Sequence, residues 1–370
     1  MSLRKPSVLV FEASDNWGGI EAFIGNEIAP LQDEFDIFVV TQNENPRIRE
    51  RIGLPTDHYI TVSERYGSPA YRKHLRSLFA RGFDIVHVNK NSLIKYLPIT
   101  LAKRVSTSKV IIHSHNTSPS SNSSLAFLHY LTRPFITPKG DVLVACSEVA
   151  AEYMFGRKDK NAEIITNGIN TETFRFDSNR RIAVREELSI ADDDAVFINV
   201  GRFSSQKNQM FLLDAFAVYH KTQPHSRLLL VGDGETRKQI KECVKSHGLN
   251  DFVILTGRRS DISALYSAAD VAVVPSLFEG LPVSLVEAQA SGIRILASDT
   301  ITREINLTGQ MVFKSLRDGP QQWAETMAGM ADSVDTYEAR ANGADIVRES
   351  GYDQADSRGK LEGVYWSLTR

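Results

Sequence analysis

Two glutamates in the C-terminal half flank the start of a predicted helix. Within VAVVPSLFEGLPVSLVEAQASG, a buried strand ends at Pro275, Glu279 lies in the loop that follows, and Glu287 stands eight positions later on the helix. Pro282 suits the first turn of that helix, and Gly292 suits its C-terminal cap. Free backbone N–H groups and the positive end of the dipole make such a helix start suitable for a phosphate. Taken alone, Glu279 also fits a capping residue and Glu287 a solvated one, so the carboxylates by themselves leave their chemistry open.

A basic pair stands on an earlier loop of the same half. In NVGRFSSQKNQMFLLDAF, Arg202 and Lys207 flank a serine-rich turn, between a predicted strand that ends at Val200 and a helix that starts near Asn208. Two cations just before a helix N-terminus suit a diphosphate group, because they neutralise its charge where the helix dipole also favours an anion. An ordinary exposed basic loop is the alternative interpretation.

The N-terminal half carries two weaker signals. Gly18 and Gly19 follow the first predicted strand, where glycines let the backbone come close to a ligand, although a plain tight turn explains them equally well. His113 and His115, in IHSHN, share one face at a strand end. They could hold a metal ion, but no carboxylate or cysteine lies nearby in the sequence, so we favour a polar contact with a substrate.

Two further patterns are interpreted as turns. The run Asp192-Asp193-Asp194 contains an Asp-x-Asp of the kind that can hold a divalent ion, but it stands before a strand in a charged connection, which favours a solvated turn. The run Gly232-Asp233-Gly234 ends a strand but lacks the third glycine of the dinucleotide-binding fingerprint. The sequence therefore predicts neither a metal site nor a nicotinamide site.

Composition narrows the class of protein. The chain has 370 residues, and its 43 basic and 45 acidic side chains give a net charge of −2, which excludes a generally basic nucleic-acid binder. Its only cysteines, Cys146 and Cys243, exclude a disulfide framework and a Cys-based zinc site and fit buried free thiols in a reducing compartment. No apolar run approaches the ~20 residues of a membrane span. The first residues lack a signal-peptide core, so we expect a cytoplasmic protein.

Strands and helices alternate in both halves, which predicts two doubly wound α/β domains with parallel sheets. Predicted strands cover 7–11, 35–41, 85–89, 110–115, 141–146, 195–200, 227–231, 253–255, 271–275 and 295–297. Predicted helices cover 19–31, 69–80, 92–104, 147–155, 208–220, 235–247, 262–268, 282–291 and 321–330, and a mobile loop is expected at 117–124. Ligands of such sheets bind beyond the carboxyl ends of the strands. The loops with Arg202, Lys207 and Glu279 lie there.

The combined motifs resemble the retaining glycosyltransferases of family 4, which have the GT-B fold. PSLFEGLPVSLVEAQASG looks like the paired-glutamate motif of that family, and GRFSSQKN looks like its basic diphosphate loop. WGGIE, NGINTETF and VGDGE stand in the expected order, so the resemblance covers nearly the whole chain. It implies two Rossmann-like domains facing a central cleft: 1–170 for the acceptor and 171–352 for the donor. The segment 353–370 would cross back onto the N-domain, anchored by Tyr365 and Trp366.

The resemblance also implies residue roles. Glu279 would contact the hydroxyls of the donor sugar, Glu287 the nucleotide ribose, and Arg258, in LTGRR, the base. The diphosphate would be held by the side chains of Arg202 and Lys207, by Gly18 and Gly19, and by the segment Gly280, Leu281, Pro282, Val283, Ser284 and Leu285. His115 would lie beside the reacting sugar, and His113 is the less favoured choice. Catalysis would rest on His115, Glu279, Arg202 and Lys207.

The implied reaction is the transfer of a hexosyl group from a nucleotide diphosphate sugar. The family uses UDP-sugars most often, and the chain looks most like bacterial enzymes of exopolysaccharide, capsule or lipopolysaccharide assembly. The acceptor would be a glycan or a polyprenyl-diphosphate-linked sugar. Since cations and a helix start can stabilise the leaving group, we expect no metal and no cofactor. A nucleotide-sugar 2-epimerase and a non-catalytic sugar-nucleotide-binding protein on the same fold are the alternatives.

A basic stretch at 65–109 predicts peripheral association with a membrane surface. It holds ten Lys or Arg residues against Asp84 alone, with aromatic and aliphatic residues among them. Such a stretch favours an anionic leaflet, because each cation near the surface contributes about 1 kcal/mol. A solvated basic face is the alternative. We therefore expect a cytoplasmic protein that can sit at the inner face of the plasma membrane.

Overall fold

The computed structural model describes residues 4–14, 18–116, 123–156, 161–279, 282–332 and 337–370. It divides into two compact units, Met1–Gly168 with Gln354–Arg370, and Ile169–Asp353. The sequence placed the changes of domain after residues 170 and 352. No helix in the described part of the chain is both long enough and apolar enough to cross a membrane.

The strands of the described residues are β1 (Ser7–Ala13), β2 (Asp36–Thr41), β3 (Tyr59–Thr61), β4 (Ile85–Lys90), β5 (Lys109–Ser114), β6 (Val142–Ala145), β7 (Glu163–Ile164), β8 (Ala195–Val200), β9 (Ser226–Val231), β10 (Val253–Gly257), β11 (Val271–Val274), β12 (Arg294–Ser298) and β13 (Met311–Lys314). The α-helices are α1 (Gly19–Phe23), α2 (Pro46–Ile52), α3 (Pro69–Phe79), α4 (Leu97–Val105), α5 (Ser123–Ile136), α6 (Glu148–Phe155), α7 (Thr171–Phe174), α8 (Ser178–Glu187), α9 (Gln209–Thr222), α10 (Arg237–Ser246), α11 (Ile262–Ala268), α12 (Val283–Ala290), α13 (Gly319–Ala331), α14 (Tyr337–Ala341), α15 (Gly343–Val347) and α16 (Gln354–Thr369).

The first unit is built on a parallel sheet of seven strands in the order β3-β2-β1-β4-β5-β6-β7. Its central strand β1 is apolar and buried, with Val8 opposite Ile37 of β2 and Ile85 of β4. A strand covered on both faces reads as a continuous apolar run, which is why the sequence identified it. Parallel pairing brings the carboxyl ends of β1, β4 and β5 to one edge of the sheet.

The second unit has a parallel sheet of six strands in the order β10-β9-β8-β11-β12-β13. Its core joins β8 and β9 to α9, α10 and α13 through fully buried side chains that include Phe197, Phe216 and Trp323. Both sheets confirm the predicted α/β architecture with two Rossmann-like domains. The carboxyl ends of β8, β9, β10 and β11 lie at the same edge.

All ten predicted strands are present, and the elements that were not predicted lack a clear local pattern. The strands β3, β7 and β13 have two to four residues and lie at sheet edges, so they are too short to show a period. The helix α8 lies in a polar stretch in which no apolar period indicates a helix. The helix predicted over 92–104 starts only at Leu97, where Pro98 occupies its first turn.

The C-terminal helix α16 packs on the N-terminal unit, as expected. Tyr365 is fully buried, its ring lies 5.3 Å from that of Phe35, and its hydroxyl lies 2.7 Å from His87 Nδ1. Trp366 packs on Phe35 at 4.7 Å and donates a hydrogen bond to Glu34. The two anchors named from the sequence therefore join the last helix to the first sheet. Cys146 and Cys243 are buried free thiols.

Candidate functional site

The loops after β8, β9 and β11 converge at one edge of the second sheet. The turn at Gly232 and Gly234 packs directly on the loop after β8: a Cβ atom on Gly232 would lie 2.0 Å from the Gly201 carbonyl oxygen, and one on Gly234 would lie 2.1 Å from that of Phe203. The backbone N–H of Phe203 donates to the carbonyl of Asp233 at 3.0 Å. The glycines are thus required by close backbone packing, and the turn supports the basic loop.

Two buried amide side chains, which were not predicted from the sequence, hold the loop after β8 on its buried side. Asn199 Nδ2 donates to the Val273 carbonyl at 2.7 Å, so it bridges β8 to β11. Gln209 Nε2 donates to the Arg202 carbonyl at 3.2 Å and lies 3.4 Å from Asn199 Oδ1. Both side chains are almost fully buried. The signal available in the sequence was a polar residue inside the apolar strand FINV.

Lys207 and Glu279 form an ion pair across the two neighbouring loops. Lys207 Nζ lies 2.6 Å from Glu279 Oε1, and the side chains are only 17% and 7% exposed. Gln206 joins the same loops, since its carbonyl accepts from Leu277 N at 2.8 Å and its side chain donates to the Phe278 carbonyl at 2.9 Å. The structure thus brings together two residues that the sequence had assigned to one donor site.

The two arginines of the predicted site are free to reach a ligand. Arg202 and Arg258 are exposed, and within the described ranges neither side chain forms a hydrogen bond or an ion pair. A hydrogen bond from Arg237 holds the pKa of the Asp233 carboxyl below its usual range. Arg258, which follows β10, is close enough to Asp233 for its charge to lower this pKa further. Both cations therefore stand at the carboxyl edge of the sheet.

The helix α12 begins where the sequence placed it, with Pro282 as its N-cap. Its first turn is held by Tyr266, whose hydroxyl donates to the Ser284 carbonyl at 2.9 Å. Val283 and Leu285 belong to this turn, while Gly280 and Leu281 lie outside the described residues. Glu287 lies on the helix near Tyr266, and desolvation raises the pKa of Glu287 to about 7. This carboxyl is therefore part neutral and part ionised near neutral pH.

In the N-terminal unit, Glu21 holds the chain on both sides of residues 15–17. The buried carboxylate accepts hydrogen bonds from Ser14 N at 2.6 Å and from Gly18 N at 2.9 Å. A Cβ atom on Gly19 would meet no atom within 4 Å, so a contact within the unit does not require glycine there. Trp17 lies outside the described residues. Glu21 belongs to the motif WGGIE, but the motif by itself predicted no role for this side chain.

His115 is oriented by a buried amide at the same edge of the first sheet. Asn89 Nδ2 donates to the Phe11 carbonyl at 3.1 Å, which directs Asn89 Oδ1 toward His115 Nε2 at 2.8 Å. Burial lowers the pKa of His115 to about 3, so the neutral ring donates through Nε2 and carries its lone pair on Nδ1. A contact with the Asn167 side chain partly offsets this lowering of the pKa, while Asn167 Oδ1 has no hydrogen-bond partner among the described residues.

His113 is fully buried between two other histidines. Its Nδ1 lies 3.2 Å from His87 Nε2, and its ring centroid lies 4.0 Å from that of His115. Burial lowers the pKa of His87 to about 3 and that of His113 well below its usual range, so both rings are neutral at pH 7. The geometry gives His113 a packing role and leaves His115 nearer the surface.

Clusters with the composition of a metal site lie away from these loops. In the described part of the chain, such clusters are Asp214, Cys243 and His247, and Asp193, Asp194 and His225. The second cluster contains part of the Asp-x-Asp pattern and precedes β8, at the amino end of the sheet, where Asp194 pairs with Arg227. It therefore lies at the edge opposite to Lys207 and Glu279. This position agrees with the interpretation of a turn.

Comparisons with known proteins match both halves of the chain. Residues 17–173 match the family described as "Glycosyltransferase Family 4", and residues 180–310 match "Glycosyl transferases group 1". The chain is 32% identical to the putative glycosyltransferase EpsF of Bacillus subtilis over 99% of its own length and 97% of that relative. It is 32% identical over 37% of its length, and 36% of that enzyme, to a UDP-Gal:alpha-D-GlcNAc-diphosphoundecaprenol alpha-1,3-galactosyltransferase of Escherichia coli.

Solved structures share the fold. The Anabaena protein Alr3699/HepE in complex with UDP superposes with a TM-score of 0.79 at 18% identity, covering 98% of this chain and all of that one. Its complex with UDP-glucose also gives 0.79, at 19% identity. WaaG, described as a glycosyltransferase of lipopolysaccharide biosynthesis, gives 0.68 at 15% identity over 96% of this chain and 99% of its own.

The three stacked histidines of the first unit, His87, His113 and His115, predict a loss of stability in acid. Their folded pKa values lie below the value of about 6.5 in the unfolded chain, so stability is full above pH 6.5 and falls as the pH drops below it. His87, with a folded pKa of about 3, should account for a loss of roughly 2 kcal/mol in the free energy of unfolding between pH 7 and pH 5. Urea unfolding of the wild type and of His87→Gln at both pH values isolates one contribution. The variant should lose about 2 kcal/mol less than the wild type over this interval, and an equal loss would contradict the assignment.

The close packing of the glycine turn predicts that Gly232→Ala displaces the basic loop. The added Cβ would clash with the Gly201 carbonyl, at a cost of roughly 1–3 kcal/mol in the free energy of unfolding. Gly329→Ala is the matched control, because a Cβ there meets no atom within 4 Å on α13. The control should stabilise by about 0.5–1 kcal/mol. Thermal unfolding of the two variants measures both effects, and a Gly232 variant as stable as the control would refute the packing argument.

Proposed function

Since the chain belongs to glycosyltransferase family 4 (group 1), we propose that it transfers a hexosyl group from a UDP-sugar to a lipid-linked or glycan acceptor, with retention of configuration. It is a GT-B glycosyltransferase of polysaccharide or lipid-linked glycan synthesis. The observation that carries the finer proposal is the Lys207–Glu279 ion pair, placed beside the exposed Arg202 at the carboxyl edge of the second sheet.

Leaving-group stabilisation follows from this arrangement. Cleavage of the bond between sugar and diphosphate leaves a negative charge on the departing phosphate oxygen, and preorganised cations lower the barrier most effectively. Arg202 is unpaired in the described structure and can turn toward the diphosphate. Lys207 is already fixed by Glu279, so little reorganisation is needed when the anion forms. Backbone N–H groups at the start of α12 add positive potential.

The two glutamates differ in their environment and suit different hydroxyls. Glu279 is held by Lys207 and can accept hydrogen bonds from the donor sugar. Glu287 has a pKa of about 7, so its carboxyl can donate to or accept from a ribose hydroxyl. Arg258 beyond β10 is assigned to the base. These roles follow the pattern of the family.

His115 is assigned to the transferred sugar. Asn167, which contacts the His115 ring, has a buried acceptor, Oδ1, without a hydrogen-bond donor among the described residues. Such groups are costly to leave unsatisfied, and a hydroxyl group supplies the missing proton donor. We assign this hydroxyl to the donor sugar, and Gly18 and Gly19 to the approach of its phosphates. Asn89 acts as a positioning residue, because it fixes the tautomer of His115.

The assignment of donor and acceptor draws on the relatives. UDP and UDP-glucose occur in the HepE structures, and the name of the Escherichia coli relative includes a diphosphoundecaprenol acceptor. We therefore favour UDP as the nucleotide and a polyprenyl diphosphate as the carrier. We also propose catalysis without a metal, since Arg202, Lys207 and α12 supply the positive charge, and no cofactor is needed.

Removal of either cation should abolish most of the transfer. We expect Arg202→Ala and Lys207→Ala each to lower kcat by ~10²–10³, because each removes charge from the leaving group. Arg202→Ala should unfold at the wild-type temperature, since its side chain has no partner in the described chain. Lys238→Ala, an 89% exposed cation on α10, is the matched control and should keep full activity. The rate of transfer is measured as the rate at which UDP is released. Near wild-type turnover in both site variants would overturn the diphosphate assignment.

The product should keep the anomeric configuration of the donor, without a covalent intermediate. A double displacement requires a carboxylate opposite the leaving group. Glu279 and Glu287 instead share the sheet edge with the diphosphate loop, so the departing phosphate oxygen would itself help to deprotonate the incoming hydroxyl. NMR of the freshly formed product determines its anomeric configuration, and mass spectrometry of quenched enzyme tests for a covalent sugar adduct. An inverted product, or a sugar bound to Glu279, Glu287 or His115, would refute this mechanism.

A further inference from the structure

Three side chains with the donor atoms of a metal site meet between α9 and α10 of the second unit. Cys243 lies in the last turn of α10 and His247 is the C-cap of that helix, so their spacing of four positions places them on one face. Asp214 comes from α9, and its Oδ1 lies 2.8 Å from His247 Nε2. The Cys243 sulfur, a ring nitrogen of His247 and a carboxylate oxygen of Asp214 all lie within 4.8 Å of one another. We call these three residues the α9–α10 cluster.

The spacing of the three donor atoms is close to that around a tetrahedral zinc ion. Bonds of about 2.3 Å to sulfur and about 2.0–2.2 Å to nitrogen and oxygen place the ligand atoms roughly 3.3–3.6 Å apart. The side chains of His247 and Asp214 are 33% and 49% exposed, so both have room to turn toward a shared ion. The same exposure lets a water molecule supply a fourth ligand.

The thiol of the cluster stands in surroundings that a divalent cation would change. Cys243 is a buried free thiol, and burial, together with the negative charge of Asp214, raises its pKa. The effect of Asp214 shows that the carboxylate and the thiol are close enough to interact. A bound divalent cation would favour the thiolate and would balance the charges of the thiolate and the carboxylate.

The end of α10 also favours a cation. The last carbonyl groups of a helix carry the negative end of its dipole, and Cys243 and His247 lie there. Within the described ranges, Asp214 forms an ion pair with no residue other than His247. Lys241 and Lys245 of α10 are exposed, and in the same part of the chain neither forms an ion pair with the cluster. No basic side chain therefore takes the place of a metal ion.

The second cluster of this composition, Asp193, Asp194 and His225, fits a metal less well. Arg227 already pairs with Asp194 at 3.2 Å, so a guanidinium group supplies the positive charge there. That cluster also offers no sulfur. The comparison favours the α9–α10 cluster.

We propose that Cys243, His247 and Asp214 bind one zinc ion, with water as the fourth ligand. A mixed set of sulfur, nitrogen and oxygen donors suits Zn²⁺, whereas Mg²⁺ and Ca²⁺ prefer oxygen alone. The two cysteines of the sequence argue against a site with several thiolates, but this site uses a single thiolate and takes a ligand from a second helix. It would join α10 to α9 and stabilise the second unit.

The site is separate from the transfer reaction. Cys243 and His247 lie at the end of α10, whereas the turn at Gly232 and Gly234 precedes the start of this helix. The ten residues of α10 span about 15 Å. The proposal therefore does not depend on the assignment of donor, acceptor or mechanism.

Cobalt substitution tests the proposal on the full chain. The probe is Co²⁺, which occupies tetrahedral zinc sites and is visible in absorption, added to protein that has been treated with a chelator and a phosphine reductant. We expect one ion per chain, a near-ultraviolet charge-transfer band from the sulfur ligand, and visible bands of tetrahedral cobalt that Zn²⁺ abolishes. Because binding releases the thiol proton, the affinity should rise roughly tenfold per unit between pH 7 and pH 8.

Variants assign the bands to residues. Cys243→Ser should remove the charge-transfer band, and His247→Gln should weaken Co²⁺ binding by about tenfold or more. His225→Ala, at the 74% exposed histidine of the second cluster, is the matched control and should keep both bands. Zn²⁺ should raise the unfolding temperature of the wild type and of this control by several degrees, and that of His247→Gln much less.

Three results would overturn the proposal: no charge-transfer band in the wild type, wild-type affinity for Co²⁺ in His247→Gln, or loss of the bands in His225→Ala. His247 is partly exposed, so His247→Gln provides the test independently of the stability of Cys243→Ser.

Discussion

The ion pair between Lys207 and Glu279 depends on one constraint, the parallel pairing of β8 with β11. Neighbouring parallel strands end at the same edge of a sheet, so their loops meet although 72 positions of sequence separate the two residues. Partial burial makes the pair electrostatically strong and also makes each partner dependent on the other. The backbone contact of Gly232 and the amides of Asn199 and Gln209 then keep the basic loop in one conformation. A preorganised charge of this kind is what phosphate chemistry requires.

The first unit uses the same constraint with different chemistry. β4 and β5 are neighbours, so Asn89 at the end of one strand can orient His115 after the end of the other. The histidines beneath are neutral because burial makes their charged forms expensive. Through His87 the stack also meets Tyr365, so the last helix of the chain is tied to the same interior. Stability and site geometry are therefore carried in part by the same side chains.

The two units contrast in how their helices meet water. The helix α9 buries its apolar face in the core of the second unit, as amphipathic helices usually do. The helix α5 does the reverse, because His129 and Thr132 hold it by hydrogen bonds while its phenylalanines face outward. Hydrogen bonds thus fix the orientation of α5, where apolar burial fixes that of α9.

The α/β architecture could be predicted from the sequence alone, and so could the loops on which the candidate site residues lie. Continuous apolar strands and helices of ordinary period identified both sheets, and the motifs around Arg202, Glu279 and Glu287 placed the chemistry on strand-ending loops. Periodicity is a local property, so it predicted the long central elements well and failed for short edge strands such as β7 and for α5, whose apolar residues face outward.

The contacts between residues that are distant in the sequence could be seen only in the folded structure. The contact of Lys207 with Glu279, the role of Glu21 at two backbone amides, and the raised pKa of Glu287 all depend on neighbours that are distant in sequence. The same holds for His113 and His115. Both lie at the end of one strand in the sequence motif IHSHN, but only in the folded structure does His113 become fully buried while His115 stays nearer the surface. Burial and pairing arise from packing between elements, and packing is a property of the folded chain that local sequence does not contain.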